Sequence, residues 1–366
     1  MELFGNFCKN VKNHPYLITF LELEVKLSKL PSPQMQTFTQ AQCCPLHMCQ
    51  GSTTTITTST ASTTTEAPII SEDTVVLITG GYGPDISGTE IYPPVSGCSP
   101  PDLPSGSQFH STFLTTGQNQ VVTCGGGFSA SCLVLDLKNE VWDGNMMDHL
   151  TQPRQWHAAV SMENIGTYLI GGFASRMKRT TDFLPEGSTE WMAGPDIPVD
   201  MIEPCAIQIS NQNFLIIHNT DIREYQVDIS DPTSNRGWRS ATKWPQLQTS
   251  RTQNPGCSKI DDYVVIAGGF GSTGWLRSTE LLNLSTKTIG YGGDLNSPRG
   301  RFQMATITRN RQQLLLALGG WDGSYLDSVE QFSPINNTWS LAPTGMEEAR
   351  AAPGAVAVPR DMVCRT

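Results

Sequence analysis

Five Gly-Gly pairs recur along the chain, each at the end of a short apolar run such as VVLIT or YVVIA. The pairs are Gly80-Gly81, Gly125-Gly126, Gly171-Gly172, Gly268-Gly269 and Gly319-Gly320. The apolar run FLII, followed by His218 and Asn219, occupies the one gap in the series. With that position included the period is about 50 residues, which indicates six copies of one structural unit rather than several unrelated domains.

The rest of each unit repeats as well. A second apolar segment follows the Gly pair, and in four units it contains an acid: GTEIY (88–92), TTDFL (180–184), STELL (278–282) and SVEQF (328–332). Farther on, four units carry a tryptophan: Trp142, Trp191, Trp238 and Trp339. An alternating stretch opens each unit and no helical periodicity is present, so each unit predicts four short strands joined by turns.

A four-stranded sheet of this kind has two apolar faces, and it buries both only when several such sheets stack around an axis. This requirement favours a β-propeller. A Gly pair at the end of a strand permits positive φ and allows a bulky ring to approach where a Cβ would clash. We expect the recurring tryptophan to be that ring.

An apolar run, Gly-Gly, an acid on the next strand and then Trp, repeated six times, resembles the kelch repeat. The resemblance covers residues 74 to 359. The WD repeat fits less well, because Trp142-Asp143 and Trp321-Asp322 fall at different places in their units. The kelch resemblance implies an all-β, six-bladed propeller over residues 74–366 and, as its function, a non-catalytic module that binds a protein partner.

The two ends of the array predict how the ring closes. Arg154, Arg251 and Arg301 each precede a Gly pair by about 17 residues, in the strand that opens a unit. Counted back from Gly80, the same position falls in a threonine tract, whereas Arg350 near the C-terminus has no Gly pair after it. We therefore expect residues 350–358 to pair with the first unit, which closes the ring and leaves no exposed sheet edge.

Composition narrows the function and divides the chain. Charged residues make up 16% of the sequence and the net charge is −10, so we expect no nucleic acid among the partners. No apolar run is long enough for a membrane span. Residues 51–73 are expected to form a Thr-rich linker, and residues 1–50 a Cys-containing segment without a recognisable signal peptide. The cluster CCPLHMC (43–49) favours disulfides over zinc, because no second pair of ligands is nearby.

Cysteines and glycosylation triplets favour an extracellular or secreted protein, with a cytoplasmic one as the alternative. Ten cysteines are many for a cytosolic chain. Cys124 and Cys132 bracket a turn and are a candidate disulfide within one hairpin, whereas Cys98, Cys205, Cys257 and Cys364 cannot be paired from the sequence. Asn283-Leu284-Ser285 and Asn336-Asn337-Thr338 are candidate N-glycosylation sites.

A set of arginines forms the candidate binding site. The position about 17 residues before the Gly pair is occupied, in chain order, by Gln108, Arg154, Asp200, Arg251, Arg301 and Arg350, with Arg299 close by. Because each begins a strand that lines the channel, we expect the arginines to converge on one mouth and to suit capture of a carboxylate or sulfate. Arginines at matching places in kelch proteins grip acidic peptides, so the resemblance implies a partner with acidic groups. The alternative is internal pairing with loop acids, for instance Asp102, Asp196, Asp200 or Glu348.

Loop aromatics extend this candidate surface. Trp275 and Tyr325 lie in the loops GFGSTGWLR and GWDGSYLD that follow two of the Gly pairs. Aromatic side chains on loops over a rigid scaffold are typical binding anchors. Trp321 directly follows a Gly pair, and we expect it to pack between blades.

Catalysis finds no support among the motifs. Galactose-oxidase-like enzymes, which share the propeller fold, bind copper with an adjacent Tyr-His pair, and the chain has no such dipeptide. The sialidase signature, the Gly-x-Ser-x-Gly motif and Gly-rich phosphate loops are also missing. His157 is expected to be a hydrogen-bonded core residue. We therefore expect no enzyme, metal or cofactor; the alternatives are an intracellular kelch adaptor or cytoskeleton-binding protein and, in another class, a propeller enzyme.

Overall fold

A computed structural model describes residues 73–175, 179–233 and 238–364 of the chain, with the backbone alone for residues 238–243. The expectations for residues 1–50 and for the Thr-rich tract lie outside this range, and so does the side chain of Trp238. The division of the chain at residues 51–73 stays a prediction.

The described chain folds into seven β-sheets, of which six are blades that follow one another along the sequence and one is a two-stranded hairpin. The first blade contains β1 (Thr74–Thr79), β2 (Thr89–Tyr92) and the C-terminal β25 (Gly354–Pro359). The second contains β3 (Ser111–Leu114), β4 (Val121–Cys124), β5 (Cys132–Asp136) and β6 (Val141–Asp143). The third contains β7 (Ala158–Met162), β8 (Gly166–Ile170), β9 (Thr181–Pro185) and β10 (Met192–Ala193).

The remaining three blades have the same antiparallel order. Blade four contains β11 (Cys205–Gln208), β12 (Asn213–His218), β13 (Asp221–Val227) and β14 (Trp238–Lys243). Blade five contains β15 (Gly256–Ile260), β16 (Tyr263–Ala267), β19 (Thr279–Asn283) and β20 (Thr288–Tyr291), with a small hairpin of β17 (Phe270–Gly271) and β18 (Gly274–Trp275). Blade six contains β21 (Gln303–Arg309), β22 (Gln312–Trp321), β23 (Tyr325–Ser333) and β24 (Thr338–Leu341). The predicted six-bladed propeller is therefore confirmed.

The C-terminal strand closes the ring, as the sequence predicts. β25 pairs with β1 in antiparallel register from Thr74↔Pro359 to Thr79↔Gly354. A four-residue helix, α1 (Arg360–Val363), follows it and is too short to cross a membrane. The next residue, Cys364, forms a disulfide with Cys98 at a sequence separation of 266. The closure is therefore covalent as well as hydrogen-bonded, although blade one has three strands in its described sheet instead of the expected four.

Apolar side chains fill the spaces between blades. Six buried clusters follow one another around the ring, and each draws its members from two neighbouring blades. For example, Val76 and Ile78 of β1 pack with Leu316 and Leu318 of β22. This arrangement confirms that the blades bury both sheet faces by stacking.

The Gly pairs make room for the next blade, but the ring that occupies the room is not the expected tryptophan. A Cβ at Gly125 would lie 2.8 Å from Cε1 of His157, and one at Gly268 would lie 2.8 Å from Cε1 of Phe302. His157 and Phe302 directly precede the opening strands of the next blades, β7 and β21. The expectation for the recurring Trp is thus wrong: Trp339 instead donates its Nε1–H to Thr279 Oγ1 of blade five at 3.0 Å.

Candidate binding face at the channel mouth

One end of the propeller collects the loops of every blade that carry the Gly pairs. Because the strands of a blade are antiparallel, the opening strand begins at this end and the second strand ends at it. In blade two, for instance, β4 ends at Cys124, opposite Ser111, the first residue of β3. We call this end the mouth face. The opposite face carries the turns that join first to second and third to fourth strands.

A ring of six residues surrounds the channel at the mouth face. Each has a left-handed backbone, with φ between 50° and 58°, and the members are Phe109, Trp156, Glu203, Asn254, Arg301 and Ala352. Backbone hydrogen bonds run from blade to blade around this ring, such as Trp156 N–H to Phe109 O (2.9 Å) and Glu203 N–H to Trp156 O (2.8 Å). The mouth is therefore a rigid rim that holds these side chains in fixed places.

Four of the five candidate arginines lie inside the protein and not in the mouth. Arg154 and Arg299 are 0% exposed, and Arg251 and Arg350 are 1% exposed. Each binds the acid of its own blade's third strand, in the pairs Arg154–Asp182 (2.5 Å), Arg251–Glu280 (3.2 Å), Arg299–Glu330 (2.7 Å) and Arg350–Glu90 (3.0 Å). The expectation that these guanidinium groups form an open anion site is wrong, because all their charge is neutralised within the blade.

These arginines hold the loop that follows the Gly pair. Arg299 Nη1 donates to Gly319 O at 2.8 Å and to Ser328 O at 3.0 Å, and the other three make the same two contacts. Burial lowers the pKa of Arg299, and the carboxylate of Glu330 opposes that shift. Arg299, not Arg301, is the counterpart of Arg154 in blade six. The alternative of internal pairing was correct in kind, but the partners are the repeating strand acids rather than the loop acids.

Arg301 is the one candidate arginine that stays at the rim. Its guanidinium carbon lies 5.8 Å from the ring centroid of Phe109, within reach of a cation–π interaction. Glu203 is the rim's acid. Burial raises the pKa of its carboxyl, and Arg301 and the N–H groups of Asn254 and Gln253 oppose that rise.

Aromatic side chains of blades one to three form a continuous row beside the rim, which we call the aromatic row. Neighbouring ring centroids are 5.6 Å apart for Tyr82–Phe109, 5.0 Å for Phe109–Trp156, 5.6 Å for Trp156–Phe173 and 6.2 Å for Phe173–Phe128. Tyr82 is 42% exposed and Phe128 is 56% exposed. Sequence reasoning missed this row, although its signal was present: Tyr82 and Phe173 stand directly after a Gly pair.

The two predicted aromatic anchors lie across the mouth, in blades five and six. Trp275 packs against Phe270 with centroids 4.9 Å apart, and Tyr325 packs against Trp321 at 4.8 Å. Tyr325 is exposed, whereas Trp275 and Trp321 are half-buried. Trp275 also covers Gly300 of the next blade, where a Cβ would lie 2.5 Å from its ring. Both anchors therefore lie on the mouth face.

The channel contains a cavity of about 220 Å³ that is lined by every blade. His157 lies there, buried as expected, but neither of its ring nitrogens has a hydrogen-bond partner among the described residues. Burial lowers its pKa well below the usual range. In the described part of the chain, no three His, Cys, Asp or Glu side chains are grouped so that they could hold a metal ion.

The predicted hairpin disulfide, Cys124–Cys132, is confirmed between β4 and β5. A further disulfide, Cys205–Cys257, joins the opening strands of blades four and five. Sequence reasoning left this pair and Cys98–Cys364 open, because each joins segments that only the folded ring brings together.

Comparison with known proteins agrees with the fold. The family model of the kelch motif matches residues 312–346, which span β22 to β24 of blade six. A kelch repeat-containing protein, kel-10 of Caenorhabditis elegans, is 27% identical over 116 residues, and the match covers 31% of this chain and 20% of that protein. The motif in blade six and the six blades closed into one ring together support a kelch-repeat β-propeller.

Proposed function

We propose that this propeller is a non-catalytic module that binds a protein partner through its mouth face. Kelch propellers are typically protein-interaction modules. The aromatic row is the observation that supports the mouth face as the binding surface. Its outer rings are well exposed, while its inner rings are held by the rim. Rigid, partly exposed aromatic side chains are the residues that most often dominate the energy of a protein interface.

The charge on this face limits what the partner can present. With four arginines neutralised inside the blades, Arg301 is the one member of the predicted set left for a partner's carboxylate. Arg301 also lies close to Glu203, and its positive charge opposes the rise that burial causes in the pKa of the Glu203 carboxyl. We infer that the partner is held chiefly by aromatic contacts and that, of the predicted arginines, Arg301 is the one placed to contact an acidic group.

We also propose that the protein works in an extracellular or otherwise oxidising compartment. Its described part contains three disulfides, Cys98–Cys364, Cys124–Cys132 and Cys205–Cys257. Structural disulfides persist in secreted proteins and are rare in the cytosol. This observation favours an extracellular module over an intracellular adaptor.

The test is capture of partners by the immobilised full-length protein from extracellular fluid, with quantitative mass spectrometry of the retained proteins. The variant Tyr82→Ser/Phe128→Ser removes the two exposed rings of the aromatic row. The matched control is Ile335→Ser, which removes an apolar side chain that is 93% exposed on the opposite face.

We expect the same retained proteins with the wild type and the control, and binding weaker by about 30-fold or more with the double variant, as for loss of a hot-spot residue. Equal capture by the double variant would show that the mouth face is not the binding surface. An equal loss of capture with the double variant and with Ile335→Ser would show that the loss is not specific to the mouth face, and would contradict the proposal.

A further inference from the structure

Both Asn-x-Ser/Thr triplets of the described chain lie on the opposite face. Asn283 is the last residue of β19, before the turn 284–287 of blade five, and Asn336 lies in the turn 334–337 of blade six. Each of these turns joins a third strand to a fourth strand. A sugar attached at either position would therefore leave the aromatic row and the rim uncovered.

The surroundings of Asn336 suit a large hydrophilic group. Asn336 is exposed, and its main-chain N–H donates to Ser333 Oγ at 3.4 Å. Its side-chain amide has no hydrogen bond within the described part of the chain. Thr338, the third residue of the triplet, is exposed on the edge strand β24. Substitution on this amide therefore breaks no contact of the folded protein.

The triplet at Asn283 is instead built into its turn. Asn283 is half-buried, and its Oδ1 accepts the N–H of Thr286 at 2.8 Å. The middle residue, Leu284, packs against the apolar cluster between blades four and five, and its N–H donates to Asp262 O at 2.9 Å. A sugar here would have to emerge from an amide that the turn already holds against the blade.

We propose that Asn336 carries an N-linked glycan and that Asn283 does not, an inference that rests on the proposed extracellular location. In the modification an oligosaccharide passes from its lipid pyrophosphate donor to Nδ2 of Asn336. A carbon–nitrogen bond forms, the bond from the sugar to the pyrophosphate breaks, the amide loses one proton and the lipid pyrophosphate leaves. The glycan also covers Ile335, the most exposed large apolar residue of the described chain, which shields an otherwise bare isoleucine from association.

The full chain, fused to a secretory leader and expressed in cultured animal cells, provides the test. The secreted protein is treated with peptide N-glycosidase F and compared with untreated protein by gel mobility, and the released position is located by peptide mass spectrometry. The same treatment is applied to Asn336→Gln, to Thr338→Ala, which keeps the asparagine but removes the hydroxyl of the triplet, and to Asn283→Gln as the matched control.

We expect a mobility shift in the wild type and in Asn283→Gln, and no shift in Asn336→Gln or Thr338→Ala. A shift that survives in Asn336→Gln and disappears in Asn283→Gln would reverse the assignment. Secreted protein with three disulfides but no shift in any form would overturn the glycan while leaving the extracellular proposal intact. Free cysteines at the six disulfide positions of secreted protein would contradict the extracellular proposal instead.

Discussion

Glu330→Gln tests whether the buried ion pairs hold the loops of the mouth face. Arg299 and Glu330 are both 0% exposed. Glu330 accepts hydrogen bonds from Arg299 Nη2 (2.7 Å), from Asn296 N–H (2.6 Å) and Nδ2 (2.9 Å), and from Ser297 N–H (3.0 Å). Glutamine keeps the shape but removes the charge, and its amide nitrogen must face two of these donors, either Arg299 Nη2 and Ser297 N–H or Asn296 N–H and Nδ2.

The expected loss in the free energy of unfolding follows from these contacts. Removing one partner of a buried ion pair leaves the other charge without compensation and costs about 3 to 5 kcal/mol. For a domain of this size the melting temperature should fall by roughly 2 °C per kcal/mol, that is by about 6 to 10 °C. The loop that carries Asn296 and Ser297 should also become more accessible, since at least one of its N–H groups loses its acceptor.

Urea unfolding with the disulfides intact, followed by tryptophan fluorescence, measures this loss, and amide hydrogen exchange of residues 294–299 measures the opening of the loop. Glu347→Gln is the control, because Glu347 is an exposed acid near the same face, and its change should stay within about 0.5 kcal/mol. A loss below about 1 kcal/mol for Glu330→Gln would refute the reasoning, since that is the value for an exposed pair.

Further predictions concern the ring closure and the histidines. Gly354→Ala should lower the free energy of unfolding by about 2 kcal/mol or more through overpacking, because a Cβ there would lie 2.6 Å from Nε2 of His110. Gly290→Ala is the control, because a Cβ at Gly290 would have no atom within 4 Å. Equal unfolding midpoints for the two variants would contradict this account. Burial lowers the pKa of His110 from 6.5 to about 4, so between these values the unfolded chain binds a proton that the folded protein does not. The free energy of unfolding should therefore fall by about 3 kcal/mol as the pH drops through this range, and His110→Asn should flatten that part of the profile; an unchanged slope would rule out His110 as its source. Replacing Cys98 and Cys364 by Ser should cost up to about 5 kcal/mol, because the bridge closes a very long loop, and an unchanged thermal melt would show that β25 alone holds the ring.

The fold could be predicted from the sequence because the repeat period fixes the number of blades and the position of each strand in its blade. A Gly pair after the apolar run marks the same place in five of the six blades, and His218-Asn219 marks it in blade four. The missing first strand and the surplus last one could therefore be matched without knowing any contact. The ring closure through β25 and the hairpin disulfide Cys124–Cys132 followed from the same count.

The role of the arginines could not be read from the same count. Arg299 and Arg301 are two residues apart, so counting residues within the repeat cannot tell which of them occupies the arginine position. The structure shows that Arg299 is fully buried and that Arg301 lies at the rim. Only the register of the third strand shows that Glu330 faces Arg299. The aromatic row was missed for a related reason: its members come from three blades and from two positions of the repeat, and only the closed ring brings them together.

Blades two and four show what replaces the ion pair where it is lost. The carbonyl of the arginine position accepts the N–H of the second glycine in the preceding blade, and by this contact Ser107 and Met201 are the counterparts of Arg154. The counterparts of its acid are Leu133 and Arg223, which pair with Thr123 and Ile216 in the sheet. Neither blade can therefore build the buried pair.

Both remaining disulfides of the described ring have at least one cysteine in these two blades. Cys124–Cys132 joins the second and third strands of blade two at the end where an arginine and an acid hold them in blades one, three, five and six. Cys205–Cys257 ties the opening strand of blade four to that of blade five. In blade two a covalent bond thus stands where the electrostatic one is missing, whereas in blade four the covalent bond runs to the neighbouring blade. Because structural disulfides persist chiefly under oxidising conditions, the three bridges favour the same extracellular setting as the glycan that we propose on the opposite face.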